Sequence, residues 1–79
     1  MQAPTPRQLE VLRLVRDFIR DKGYPPTKRE LAKLLNVSSP TGVTNILDAA
    51  EQKGLVRLIP FISRGIQITE AGLEACNAS

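Results

Sequence analysis

Thr41, Thr44, Asn45 and Asp48 recur at intervals of three and four residues, the spacing that puts side chains on one face of a helix. Val43, Ile46, Leu47 and Ala50 fall on the opposite face. A helix docked by those apolar residues would hold out two hydroxyls, a carboxamide and a carboxylate. The carboxamide both donates and accepts, which suits an adenine's N6 and N7 together, and threonine offers a hydroxyl or a methyl to thymine. Gly42, with no side chain, would let the backbone itself come close. Ser39 starts the segment, where unpaired backbone amides favour a phosphate. Without further context these are simply polar residues on the wet face of an amphipathic helix. Catalytic chemistry has little to work with. There is no histidine and no glycine-rich phosphate loop, and Cys76 is the single cysteine. Neither an enzyme nor a metal or cofactor site is expected.

The elements that would carry these side chains are announced by caps. Ser39-Pro40 is a start signal for a helix over 40–53, closed by Gly54. Thr27 with Glu30 forms a capping box for a helix over 28–35. Asn36 can take the left-handed conformation that ends it, with Val37 as an apolar plug. Thr5-Pro6-Arg7-Gln8 repeats the start logic for a first helix, which Gly23 and Tyr24-Pro25-Pro26 stop near Lys22. The expected core takes Val11, Leu14, Val15 and Phe18 from the first helix, with Leu12 and Ile19 on its shoulder. The second supplies Leu31, Ala32, Leu34 and Leu35. After Gly54 the period becomes two, predicting strands at 55–59 and 65–69 joined by Pro60 to Arg64. Thr69-Glu70-Ala71-Gly72 can open a short last helix through Cys76, although Gly72 disfavours it. Phe61 is expected to fold back over the core, the alternatives being a wedge touching the minor groove or a patch that pairs with a second copy; Tyr24 is expected to lid the core and Cys76 to lie in a frayed end. Residues 1–4 read as a loose tail.

The predicted fold is therefore mainly α (α+β): a winged helix-turn-helix of three helices followed by a two-stranded hairpin wing. It forms one domain over residues 1–79, with 70–79 as a short terminal helix or tail. Seventy-nine residues with 42% apolar content suit one small core of Leu, Ile and Val. No run approaches the ~20 apolar residues of a membrane span, and a single cysteine fits a reducing, cytoplasmic setting. The net charge of +3 is unevenly spread: residues 1–33 carry eight basic and four acidic side chains, residues 34–79 three and four. A basic half is compatible with a polyanion. Arg13, Arg16 and Arg20 fall on one stripe of the first helix and are assigned to solvent, solubility or a protein partner.

The pieces RQ-x-EVL, GYPPT-x-RE-x-A, SSP, KG-x-x-R and SRGI occur in this order across residues 5–68. Together they resemble the N-terminal DNA-binding domain of the LexA repressor family. That resemblance implies a winged helix that binds a palindromic operator in double-stranded DNA, with Ser39, Thr41, Gly42, Thr44 and Asn45 near bases. Phosphate contacts are expected from Arg7, Lys28, Arg29, Lys53, Ser63 and Arg64. A transcriptional regulator of bacterial or phage type follows, with no membrane or small-molecule substrate. Repressors of that family carry a second domain that dimerises and cuts its own linker at an Ala-Gly bond, for which these 79 residues have no room. Ala71-Gly72 is expected to be a pair of small residues in a terminal helix. A homodimer could form only on DNA, through the wing, or through the 70–79 tail around Cys76. A competing reading is a winged helix for protein contact, an accessory factor or antirepressor. It is motivated by Asp48 and Glu51 on the third helix, the arginine stripe and Phe61-Ile62.

Overall fold

Every predicted helix start is realised with its own hydrogen bonds. The computed structural model describes residues 3–78, so Met1 and Gln2 of the expected tail lie outside the described residues. The order is α1 (Pro6–Lys22), α2 (Lys28–Leu34), α3 (Pro40–Gln52), β1 (Val56–Leu58), β2 (Ile66–Ile68) and α4 (Glu70–Asn77). The Thr5 hydroxyl accepts from the Gln8 N–H at 3.2 Å, and the Thr5 N–H donates back to Gln8 Oε1 at 3.0 Å. Thr27 and Glu30 make the same reciprocal pair at 3.0 and 2.8 Å. At α3 the Ser39 hydroxyl accepts from the Thr41 N–H at 3.2 Å. Such caps answer amide groups that the helix itself cannot satisfy. Asn36 adopts φ 59° just after α2, and the Val37 N–H then reaches the Ala32 carbonyl at 3.0 Å. This turn sets α3 against α2.

Leu12, Leu31 and Leu47 are fully buried, each contributing about 1.5–3 kcal/mol relative to exposure. One cluster joins α1, α2, α3 and β2 through Val11, Val15, Leu31, Val43, Leu47 and Ile66. A second joins Leu12, Ala50, Leu55, Val56 and Cys76. Four assignments therefore change. Leu12 moves from the shoulder to the centre, while Leu14 and Phe18 are only half-buried. Leu34 is 52% exposed. On α1 the cause is α4, which packs on that helix and pulls the buried stripe toward Leu12.

The last helix forms in spite of Gly72, and because of it. A Cβ at this buried position would collide with the Leu55 carbonyl oxygen and press on Ile68 at 2.9 Å. Glycine is what lets α4 lie against the hairpin. Thr69 fixes the junction: its hydroxyl donates to the Gly54 carbonyl at 2.6 Å and accepts from the Gly72 N–H at 3.0 Å. Cys76 is consequently buried rather than frayed, its thiol donating to the Leu73 carbonyl at 3.5 Å. Arg16 likewise leaves the expected solvent stripe. Its guanidinium donates to Asn77 Oδ1 at 2.8 Å and to Asp17 at 3.0 Å, tying α1 to the end of α4.

β1 and β2 pair antiparallel in the register Val56↔Ile68, Arg57↔Gln67 and Leu58↔Ile66. They are shorter than predicted, although the Ile59 N–H still meets the Gly65 carbonyl at 2.8 Å. Phe61 does not fold back over the core. It is fully exposed at the tip of the hairpin, at φ 65°, because a tight turn ending at Gly65 holds it away from the body.

Candidate nucleic-acid interface

The outward face of α3 is open. Ser39, Thr41, Gly42, Asn45 and Asp48 are exposed and Thr44 is half-buried, so the hairpin covers none of them. Two of these side chains already have local work. The Ser39 hydroxyl is the helix cap, and the Thr44 hydroxyl donates to the Pro40 carbonyl at 3.1 Å. That leaves Thr44 its methyl group and its hydroxyl oxygen as an acceptor. The Asn45 carboxamide has no hydrogen-bond partner among the described residues and stands one turn beyond Thr41. Val43, Leu47 and Ala50 anchor the opposite face, so this carboxamide is presented from a rigid support.

The basic side chains gather at both ends of α3. At its beginning, one groove is lined by Lys28, Arg29, Pro40, Phe61 and Ser63, which brings together the starts of α2 and α3 and the hairpin tip. Lys28, Arg29 and Ser63 are exposed, with no ion-pair partner for either cation among the described residues. At its end, Lys53 caps α3 and donates from Nζ to Gln8 Oε1 at 2.8 Å and the Ala3 carbonyl at 3.0 Å. Arg7, on the first turn of α1, pairs with Glu10 at 2.8 Å. Such an exposed pair is worth about 0–1 kcal/mol. Thirteen residues of helix separate the two ends, roughly 20 Å.

Residues 1–65 match the family described as the LexA DNA binding domain. The chain belongs to the LexA DNA-binding domain family. It is 46% identical over 68 residues to the LexA repressor of Methylococcus capsulatus, covering 86% of this chain and 34% of that protein. Against the LexA repressor of Geobacter metallireducens the identity is 42% over 77 residues, 98% of this chain and 38% of that one. The LexA repressor of Anaeromyxobacter dehalogenans shares 45% over 75 residues, 95% and 33% respectively. The chain thus spans about a third of the length of these relatives.

Within this LexA-type domain, Arg64 is engaged in a way its sequence position did not suggest. Its guanidinium reaches Glu30 at 2.7 and 3.4 Å and the Pro25 carbonyl at 2.9 Å, and lies 4.4 Å from the centre of the Tyr24 ring. Tyr24 is 45% exposed, with its edge against Phe18. It is a platform for Arg64 more than a lid on the core. Arg64 therefore braces the hairpin against the start of α2. Glu30 is the hinge of this brace, since the same carboxylate accepts from the Thr27 N–H. These bonds, first that from Thr27 and then that from Arg64, hold its pKa below the ordinary carboxylate value. A lowered pKa stabilises the fold at pH above the carboxylate's unfolded value, and the effect disappears as pH falls through the folded one. Glu30→Gln should accordingly lower the melting temperature at pH 7, and the gap from the wild type should narrow as pH falls into the carboxylate range. A gap that stays constant across thermal melts from pH 3 to 7 would remove Glu30 from this role.

The acidity of α3 is also explained in part. Glu51 turns to the hairpin, where Oε2 accepts from the Leu58 N–H at 2.8 Å, so its charge serves the wing. Arg57, the last residue of the KG-x-x-R piece, was outside the expected contact set. It is exposed in mid-β1 opposite Gln67. A lone cation inside Leu-Val-Arg-Leu-Ile was the signal that it points outward.

Proposed function

We propose that this LexA-type domain binds double-stranded DNA with α3 in the major groove, as the reading head of a bacterial or phage transcriptional regulator. Thr41, Thr44 and Asn45 meet base edges, Gly42 allows close approach, and Ser39 stands beside them at the exposed start of the helix. Lys28, Arg29 and Ser63 contact phosphates at one end of α3, and Arg7 and Lys53 at the other. Arg64 adds charge near the backbone while holding the wing in place. The observation that carries this reading is the unpartnered Asn45 carboxamide on the exposed face of α3, with basic side chains at both ends. Two copies would occupy the halves of a palindromic operator and associate on the DNA. A disulfide through Cys76 is unsuited to this, because the sulfur is buried. A reducing, cytoplasmic setting fits that thiol, and among the described residues no helix is long and apolar enough to cross a membrane.

Selection of bound duplexes from a random pool, followed by titration at several salt concentrations, tests the proposal. An enriched motif and affinity that falls steeply with salt are expected. Lys28→Ala should weaken binding to all sequences and reduce the slope of log affinity against log salt by about 0.9. Recovery of no motif together with salt-independent behaviour would favour a protein-contact module instead.

A further inference from the structure

We propose that Phe61 is a wedge that enters DNA beside the segment read by α3 and selects a base step by how easily it unstacks. The proposal rests on the DNA-binding function above and adds a second, indirect mode of reading. Phe61 holds φ 65°, a left-handed conformation that bulky residues rarely adopt because the Cβ crowds the backbone. No intramolecular burial offsets that strain, since the ring is fully exposed and neighbouring Ile62 is 57% exposed. The tip is also held firmly. The Gly65 N–H donates to the Ile62 carbonyl at 3.1 Å, and a Cβ on Gly65 would crowd the Ile59 and Ile62 carbonyls. An oily ring is thus kept in water on a braced support, at a backbone angle that disfavours it.

The surroundings identify the partner. Phe61 lines the groove shared by Lys28, Arg29 and Ser63, and also the groove running along Asp48 and Glu51 of α3. Cations beside an apolar point suit a nucleic acid, where phosphates flank stacked bases. A second copy of the chain is a poorer fit. A Phe side chain buries about 150–250 Å² and Ile62 is already partly covered, whereas stable protein interfaces need about 800 Å² from each partner. A single ring is enough for one base step. Unstacking is easiest at pyrimidine–purine steps such as TA and CA, so a wedge at a fixed distance from α3 would favour those steps without any hydrogen bond to them.

Phe61→Gly tests this directly, because glycine accepts φ 65° and the melting temperature should stay at or above that of the wild type. Duplexes selected by both proteins should share the core motif read by α3. Only the wild type should enrich a TA or CA step at constant spacing from it. Affinity of the variant for the wild-type consensus should fall roughly tenfold, and 2-aminopurine placed at that step should brighten only with the wild type. Equal flanking preference and equal affinity would overturn the wedge. So would a variant that merely lowers the number of copies per duplex in sedimentation, since the tip would then be a contact between copies. Failure of both proteins to select any core motif would instead overturn the proposed function, and the wedge with it.

Discussion

Replacing Asn45 with alanine should weaken binding to the selected DNA by about 1–3 kcal/mol and blur one base position. The exposed carboxamide has nothing to lose within the fold, and alanine is the better helix former by up to ~0.7 kcal/mol. The variant should therefore melt at or slightly above the wild-type temperature. A loss of affinity cannot then be traced to unfolding. The two kinds of contact proposed for α3 are separable in the same titration. Truncating Asn45 should leave the salt dependence untouched, because no phosphate contact is removed, whereas Lys28→Ala changes the slope on every sequence. Equal losses on selected and random duplexes for Asn45→Ala would take it out of base reading. Thr44 is a weaker candidate for discrimination, since its hydroxyl proton is already given to the Pro40 carbonyl.

Gly72→Ala sets two effects of opposite sign against each other. Helix propensity favours alanine by at most about 1 kcal/mol, Gly72 lying in the first turn of α4, so local reasoning predicts a more stable α4. The added Cβ would meet the Leu55 carbonyl oxygen, a backbone atom that cannot rotate away. Overpacking typically costs ~1–3 kcal/mol, and more where the obstacle is rigid. The clash should win, with a net loss of about 2 kcal/mol, or on the order of 10 °C in melting temperature for a domain of this size. Denaturant titration followed by circular dichroism is the direct measurement. The folded variant should keep its DNA affinity, because α4 packs on α1 and the hairpin, leaving the outward face of α3 open. A stabilised Gly72→Ala protein would mean that α4 does not seat on the hairpin as described.

The sequence alone was enough for whatever depends on near neighbours in the chain. Thr5, Thr27 and Ser39 cap their helices through bonds spanning two or three residues, and Gly23, Asn36 and Gly54 take positive φ where a helix must stop. The two faces of α3 follow from its own periodicity, so Thr41 and Asn45 were legible as outward residues before any coordinates. The ordered pieces from RQ-x-EVL to SRGI pointed to the family in the same way. Tertiary structure decided the matters that involve residues distant in the chain. Local propensity argued against α4, and only the approach of Leu55 explains why residue 72 must be glycine. Once α4 lies on α1, Leu12 becomes central, Cys76 is buried and Arg16 gains a partner in Asn77. Arg64 looked like a free wing cation until folding placed Glu30 and Tyr24 beside it, 34 and 40 positions away in the numbering. Phe61 looked like a residue that would seek the core, until the turn ending at Gly65 held it outward. Caps and periodicity are short-range and repeat along one chain, whereas packing partners and ion pairs depend on which surfaces meet.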